Sequence, residues 1–141
     1  MTTPETFHAT CVALKGQAVV IQGASGAGKS ALGLGLMAFG CTLIADDRVH
    51  LTVRNGAVHA HCPPALSGLI EARGLGILNA VSEPKARVAL VVDLDQLEPE
   101  RLPPQRRIAL LGCDLPLIYR VDAPQFAPAI LQILKAGWSD R

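Results

Sequence analysis

The sequence predicts an α/β fold in which a central mixed β-sheet carries one helix after a glycine-rich loop and a second helix near the C-terminus. Three observations support this prediction. Short apolar runs alternate with turn residues along most of the chain, which is typical of buried strands. A glycine-rich segment separates the apolar run 18–21 from a helical pattern over 29–39. A final helical pattern covers residues 127–135.

Length and composition fit one folded domain. The chain has 141 residues, 50% of them hydrophobic and 18% charged, a balance that allows a chain of this size to bury a core. Its formal net charge of +1 creates no overall field toward nucleic acid or a membrane surface. The N-terminal residues lack the segments of a signal peptide, and no apolar stretch reaches membrane-spanning length. We therefore expect a cytoplasmic protein with neither nucleic-acid nor membrane partners.

The cysteines are scattered along the chain. They stand at positions 11, 41, 62 and 113, without the close spacing that zinc sites and redox-active pairs normally show. We expect reduced thiols, mostly buried, and no metal site built on cysteine.

The first third of the chain predicts a hairpin that leads into the glycine-rich loop. Residues 7–14 are predicted as one strand, Lys15-Gly16 as a tight turn and 18–21 as a second, buried strand. The helix over 29–39 follows the loop. Strand, loop and helix thus occur in the order that a phosphate-binding loop requires.

The central part predicts a strand over 42–45 and then a hairpin. Strands at 49–54 and 57–61 flank Asn55-Gly56, a pair that tolerates the positive φ of a type I′ turn. Residues 62–82 are rich in glycine and proline and lack periodicity, so we expect a functional loop there with at most one helical turn. The later strands are predicted at 87–93, 107–111 and 116–121.

The glycine-rich loop carries a complete phosphate-binding motif, G-x-x-x-x-G-K-S. Its glycines allow consecutive backbone N–H groups and the helix N-terminus to face phosphate oxygens. Lys29 would reach the β- and γ-phosphates, and Ser30 would offer its hydroxyl to Mg²⁺. The flanking strand and helix favour this function over a simple Gly/Ser turn. The predicted phosphate-binding residues are Gly23, Ala24, Ser25, Gly26, Ala27, Gly28, Lys29 and Ser30.

Such a loop needs an acidic residue at the tip of a neighbouring strand to orient metal or water. Asp46 and Asp47 follow the strand 42–45, and Asp93 follows the apolar run 90–92. Two adjacent carboxylates are costly without a cation, which favours the doublet as a functional pair. Local pattern alone leaves both places open.

Three blocks of the chain resemble the catalytic domain of HPr kinase/phosphorylase, a bacterial enzyme that phosphorylates a serine of the phosphocarrier HPr and can reverse the step. They are His8, the run 23–49 with L-I-A-D-D-R-V at its end, and the segment 70–79, I-E-A-R-G-L-G-I-L-N. The third is similar to the family signature I-E-x-R-G-x-G-I, which is much more specific than a phosphate-binding loop. Together the blocks extend over residues 8–79.

The resemblance implies a P-loop kinase-like fold akin to phosphoenolpyruvate carboxykinase. It makes residues 1–141 a single catalytic domain without the family's N-terminal domain, as in the short proteobacterial form. It also implies ATP (or pyrophosphate) as donor, Mg²⁺ as cofactor and an HPr-like phosphocarrier as acceptor. A homo-oligomer is expected from the family, which forms hexamers, although the C-terminal helices that contact neighbouring subunits are trimmed here.

The resemblance also assigns residues by position. Asp47 matches the general base, which accepts the serine proton during phosphorylation and returns it during dephosphorylation. Glu71 matches a metal ligand alongside Ser30, with Asp46 as a further acidic group at the metal. Lys29 acts on the transferred phosphate.

Further matches surround this set. Arg73 and Gly74 lie in the signature, where a guanidinium could pair with phosphate and a glycine would allow close backbone approach. His8 matches an active-site histidine before the phosphate-binding loop. Arg101 is the best match for a later catalytic arginine, with Arg106 and Arg107 as competing positions.

The chain departs from the family in two places. Ala31 stands where long members usually have glutamate, and residues 119–128 hold no counterpart of the Pro-x-x-x-Gly-Arg phosphorylase loop. Two other functions are therefore weighed: a different P-loop NTPase or small-molecule kinase, and a nucleotide-sensing regulator without catalysis. Retention of Lys29, Asp47 and Glu71 favours the protein kinase.

Overall fold

The structure is a computed structural model that describes residues 4–139. A short 3-10 helix covers Pro64–Leu66. No helix in the described part is long and apolar enough to span a membrane. The predicted domain limits at residues 1 and 141 lie outside the described residues. In chain order the elements are β1 Glu5–Phe7, β2 Ala9–Leu14, β3 Gln17–Gln22, α1 Lys29–Ala38, β4 Thr42–Ala45, β5 Val49–Arg54, β6 Ala57–His61, β7 Leu69–Ala72, β8 Gly76–Asn79, β9 Lys85–Leu97, β10 Arg106–Leu110, β11 Cys113–Arg120 and α2 Phe126–Ala136.

Most strands belong to one mixed sheet with the order β1-β5-β6-β9-β3-β2-β4, and β11 joins it by pairing with β9 and β10. Strands β3 and β9 are parallel, whereas β2 is antiparallel to both β3 and β4. The carboxyl ends of β3, β4 and β9 therefore lie at one edge of the sheet. Strands β7 and β8 form a separate antiparallel hairpin.

The core consists of two apolar clusters that follow the alternation of side chains along the strands. Val20 points into one cluster, together with residues of β5 and β6. Its neighbours Val19 and Ile21 point into the other, where they meet Leu36 of α1 and Ile130 of α2. Both helices thus cover the same face of the sheet, and α1 begins where the loop after β3 ends.

The predicted α/β class, with a mixed sheet, a helix after the glycine-rich loop and a C-terminal helix, is confirmed. The hairpin β5–β6 also has the predicted bounds, and both of its turn residues have positive φ, 52° at Asn55 and 75° at Gly56.

Of the cysteines, Cys11 and Cys41 are buried, while Cys62 and Cys113 are partly exposed.

Several predicted bounds differ from the structure, and two segments have a different structure from the one predicted. The strand predicted over 7–14 breaks at His8, because Thr6 pairs with β5 whereas Ala9 begins the pairing with β3. The predicted loop 62–82 contains the hairpin β7–β8. All four residues of β8 are exposed, so its sequence lacks the alternation of apolar and polar residues that marks a half-buried strand.

Two glycines of α1 give a matched prediction. A Cβ on Gly33 would lie 2.9 Å from Cγ2 of Thr10, whereas a Cβ on Gly35 would meet nothing closer than Ala127, at 4.0 Å. We expect Gly33→Ala to lower the free energy of unfolding by about 1–3 kcal/mol through overpacking. Gly35→Ala should raise it by about 0.5–1 kcal/mol, since alanine favours the helix. Urea unfolding followed by circular dichroism measures both, and equal effects would contradict the close packing at Gly33.

Candidate active site

A cleft of about 460 Å³ lies at the sheet edge where β3 and β4 end. The loop after β3 and the first turn of α1 form one wall, and the hairpin β7–β8 forms the other. The cleft therefore lies where ligands bind to sheets of this kind. Its lining residues are Ser25, Gly26, Gly28, Lys29, Ser30, Ala31, Leu34, Asp47, Glu71, Ala72, Arg73 and Leu75.

The glycine-rich loop is already shaped around its lysine. The Lys29 ammonium donates to the backbone oxygens of Gly23 and Ala24, at 2.9 and 3.2 Å, and the N–H of Ala27 donates to Ala24 at 3.0 Å. An ammonium has three N–H bonds, so one remains for an anion in the cleft. The first turn of α1 contains no acidic residue, which leaves the positive end of the helix dipole free to attract phosphate.

Asp46 connects three elements of the site. Its Oδ1 accepts hydrogen bonds from the hydroxyls of Thr10, at 2.8 Å, and Ser30, at 2.6 Å. Its Oδ2 accepts from the backbone N–H of Glu71 at 2.8 Å. The residue is only 8% exposed, and these donors compensate the burial of its charge. Strand β2, helix α1 and the hairpin β7–β8 are thereby joined at one carboxylate.

The hydrogen bond to Asp46 also determines which atoms of the Ser30 hydroxyl remain available. Because its hydroxyl proton is donated to Asp46, the oxygen lone pairs remain available for a cation. The same bond network brings the backbone of Glu71 beside the end of β4. Of the candidate acidic residues, Asp46 is the one whose carboxylate accepts a hydrogen bond from the serine of the loop.

Asp47 differs sharply from its neighbour. It is exposed and lines the cleft, and its φ is +67°, in the left-handed region that non-glycine residues rarely occupy. The backbone N–H of Arg48 donates to the backbone oxygen of Asp46 at 2.7 Å, which closes a tight turn around Asp47. The backbone oxygen of Asp47 accepts a hydrogen bond from the backbone N–H of Ala9 at 3.1 Å. Strained backbone of this kind is often retained where a side chain must point into a functional site.

The hairpin contributes two charged side chains to the cleft. Glu71 is exposed on β7, and Arg73 follows in the turn. A Cβ placed on Gly26 would lie 3.9 Å from Nη2 of Arg73, so this guanidinium lies across the cleft from the phosphate-binding loop. Gly74 has φ +87° and belongs to the turn in which Leu75 donates to Ala72.

Other predicted residues lie outside this lining. His8 is exposed between β1 and β2, next to Ala9, whose N–H contacts Asp47. Arg101 lies in the exposed segment after β9. Among the described residues, Arg73 lines the cleft, whereas His8 and Arg101 do not.

The two competing arginines have other partners. Arg106 forms a bidentate hydrogen bond to Glu98, with both N–O distances 2.9 Å, and lies over the ring of Tyr119. This hydrogen bond lowers the pKa of the Glu98 carboxyl. Arg107 pairs with Asp114 at 2.9 Å. Both arginines lie outside the cleft lining.

Sequence reasoning missed Thr10 and Asp95. Thr10 is fully buried on β2 and donates to Asp46, a contact between residues 36 positions apart that no local pattern reveals. Asp95 accepts from the backbone N–H of Ala24. The alternative acid, Asp93, instead accepts from the N–H of Asp95 at 2.9 Å. The available signal was the repeat of aspartate at 93, the last residue of the predicted strand, and at 95, just beyond it.

In the structure, a loop with the P-loop motif lies between a strand and a helix, and its serine is hydrogen-bonded to an acidic residue that follows a strand. Comparison with known families is more specific. The family model described as HPr Serine kinase C-terminal domain matches residues 1–110. The chain belongs to this family.

Individual relatives agree with this assignment. The HPr kinase/phosphorylase of Cupriavidus necator is 41% identical over 110 residues, which cover 70% of this chain and 34% of that protein. The one from Bordetella petrii is 43% identical over 75 residues, covering 52% and 24%. The chain thus matches about a third or less of the length of these relatives.

A solved structure is similar over nearly its whole length. The HPr(Ser) kinase/phosphatase from Coxiella burnetii superposes with a TM-score of 0.76 at 26% identity, and the match covers 93% of each chain. The fold described above is therefore that of an HPr kinase domain.

Proposed function

We propose that this chain is the catalytic domain of a protein kinase that uses ATP and Mg²⁺ to phosphorylate a serine of an HPr-like phosphocarrier protein. The observation that carries the proposal is the Asp46 junction. It holds Ser30 and the Glu71 backbone at one carboxylate, beside exposed Asp47. A reaction with ATP and a phosphocarrier also agrees with a cytoplasmic location.

The donor phosphates would lie in the glycine-rich loop. Its N–H groups and the start of α1 supply partial positive charge, and the Lys29 ammonium keeps one N–H for a phosphate oxygen. Arg73, on the opposite wall, can pair with the transferred phosphoryl group through its planar guanidinium. Charge that develops on these oxygens during transfer is stabilised from both walls of the cleft.

The acceptor would approach from the open side of the cleft, where Asp47 is exposed. Its carboxylate accepts the serine proton while the serine oxygen forms a bond to the γ-phosphorus. The bond between the γ-phosphorus and the bridging oxygen breaks, and ADP leaves with the electron pair. In phosphorolytic dephosphorylation, an oxygen of inorganic phosphate would bond to the phosphorus of the phosphoserine, the bond to the serine oxygen would break, Asp47 would return a proton to that oxygen, and pyrophosphate would leave.

The side chains present suit Mg²⁺. No group of three histidine, cysteine, aspartate or glutamate side chains within residues 4–139 could hold a metal ion unaided. Mg²⁺ commonly takes one or two protein oxygens and completes its shell with phosphate and water. The Ser30 hydroxyl and the Glu71 carboxylate would supply those oxygens, with Asp46 orienting the hydroxyl. When bound, the ion would neutralise charge on the β- and γ-phosphates.

The test is phosphate transfer to the natural acceptor. The protein is incubated with γ-labelled ATP, Mg²⁺ and the HPr-like protein of the same bacterium, and the modified residue is identified by mass spectrometry. We expect label on one serine of the acceptor. ATP hydrolysis without labelled acceptor would favour another P-loop NTPase, and nucleotide binding without turnover would favour a regulator; either would contradict the proposal.

Glu71→Gln tests the metal site separately. The fold should be preserved, because Asp46 contacts the backbone N–H of Glu71 and not its side chain. Loss of the carboxylate should raise the Mg²⁺ concentration for half-maximal phosphorylation by about tenfold or more. A Mg²⁺ titration at saturating ATP measures this, with Glu100→Gln, an exposed glutamate outside the cleft lining, as control. An unchanged Mg²⁺ requirement would remove Glu71 from the metal site.

A further inference from the structure

The last residues of β9 lie against the start of the phosphate-binding loop. Gln22 pairs with Asp93 across the parallel strands β3 and β9, so the loop leaves β3 beside Asp95. Both carboxylate oxygens of Asp95 accept a hydrogen bond from the backbone N–H of Ala24, at 2.9 and 3.1 Å. A negatively charged side chain therefore holds the first turn of a loop that is built to bind anions.

Ala24 connects this carboxylate to the lysine of the motif. Its oxygen accepts from the Lys29 ammonium at 3.2 Å and from the N–H of Ala27 at 3.0 Å. Its peptide groups are thus fixed on both sides, by Asp95 at the N–H and by Lys29 at the carbonyl. Ser25 and Gly26 line the cleft whereas Ala24 does not, so the bond to Asp95 removes no donor that lines the cleft.

Two neighbours support the contact. Asp93 accepts the N–H of Asp95 at 2.9 Å, which fixes the backbone at the end of β9. A Cβ on Gly23 would lie 3.2 Å from Cβ of Leu94 and 3.5 Å from Oδ1 of Asp95. A side chain at this position would crowd Leu94, so the glycine suits the close approach of the loop to β9.

We infer that Asp95 is a positioning residue of the phosphate-binding loop: it fixes Ala24 and, through the Ala24 carbonyl, directs the Lys29 ammonium toward the β-phosphate of a bound nucleotide. The inference rests on the nucleotide-binding half of the proposed function and is independent of the acceptor. Its hydrogen bond is the useful property, because the charge of Asp95 would itself repel phosphate. An uncharged acceptor at the same place should serve equally well.

The test compares Asp95→Ala, Asp95→Asn and the control Asp114→Ala, which removes an exposed carboxylate on β11. Binding of ADP in the presence of Mg²⁺ is measured by calorimetry. We expect Asp95→Ala to weaken ADP binding about fivefold to tenfold, the effect of losing one hydrogen bond that positions the loop. Asp95→Asn should bind ADP as tightly as the wild type or more tightly, and Asp114→Ala should be unchanged.

Hydrogen exchange of the peptide covering 22–30, without nucleotide, gives a second measurement. Faster exchange in Asp95→Ala and near-normal exchange in Asp95→Asn are expected. Wild-type ADP affinity and exchange in Asp95→Ala would overturn the role. Equal weakening in both variants would overturn it as well, because the charge and not the hydrogen bond would then be used. A chain that fails to phosphorylate any acceptor would contradict the proposed function but would leave these comparisons unaffected.

Discussion

Replacing Asp47 by asparagine is expected to lower the rate of acceptor phosphorylation by about 10²- to 10⁴-fold, the usual contribution of a general base. Asparagine removes the proton-accepting charge while keeping the size of the side chain. It also tolerates positive φ, so the turn at Asp47, with φ +67°, should persist. Single-turnover transfer of labelled phosphate to the acceptor serine measures the effect.

The accompanying controls separate chemistry from folding and binding. The loop hydrogen bonds of Lys29 do not involve Asp47, so ADP affinity and the melting temperature should stay near the wild-type values. Asp47→Ala should be equally inactive but less stable, because alanine is strained in the left-handed region. Retention of more than about a tenth of the wild-type rate in Asp47→Asn would exclude Asp47 as the base.

Asp46→Ala is expected to reduce the free energy of unfolding by about 3 kcal/mol, because it leaves three donors without their acceptor. These are the hydroxyls of Thr10 and Ser30 and the N–H of Glu71. The loss should also free the hairpin β7–β8 from the end of β4 and so weaken Mg²⁺-dependent nucleotide binding. Urea unfolding and calorimetry measure the two effects.

Two milder variants calibrate this result. Asp46→Asn keeps one acceptor oxygen and should lose less stability than Asp46→Ala. Thr10→Val preserves the buried shape and removes only one donor, so a loss of about 1 kcal/mol is expected, with nucleotide binding nearly intact. If the free energy of unfolding of Asp46→Ala lies within about 0.5 kcal/mol of the wild-type value, the Asp46 junction does not stabilise the site.

Much of this architecture follows from local sequence. The hairpin at Asn55-Gly56 has its predicted bounds because positive φ at both turn residues determines how the flanking strands pair. The loop before α1 and the strand β4, which ends just before Asp46, were also predictable. Their apolar runs and glycines act over a few neighbouring residues, which is the range that sequence patterns describe.

Other features depend on contacts between distant residues. The hairpin β7–β8 packs beside α1, yet β8 remains exposed. Its sequence therefore has no alternation of apolar residues that would predict a strand. The predicted strand over 87–93 extends to Leu97, and this extension brings Asp95 to the loop. A contact across 71 residues, from Ala24 to Asp95, leaves no local trace.

The glycine-rich loop and the adjacent pair Asp46-Asp47 could be recognised as candidates from residue order, since motif spacing and strand ends are local properties. Only the tertiary structure distinguished the two carboxylates: Asp46 is buried among the donors of three elements, whereas Asp47 is turned toward the cleft. The physical reason is that residue type specifies which hydrogen bonds and charges are available, but packing decides which of them meet.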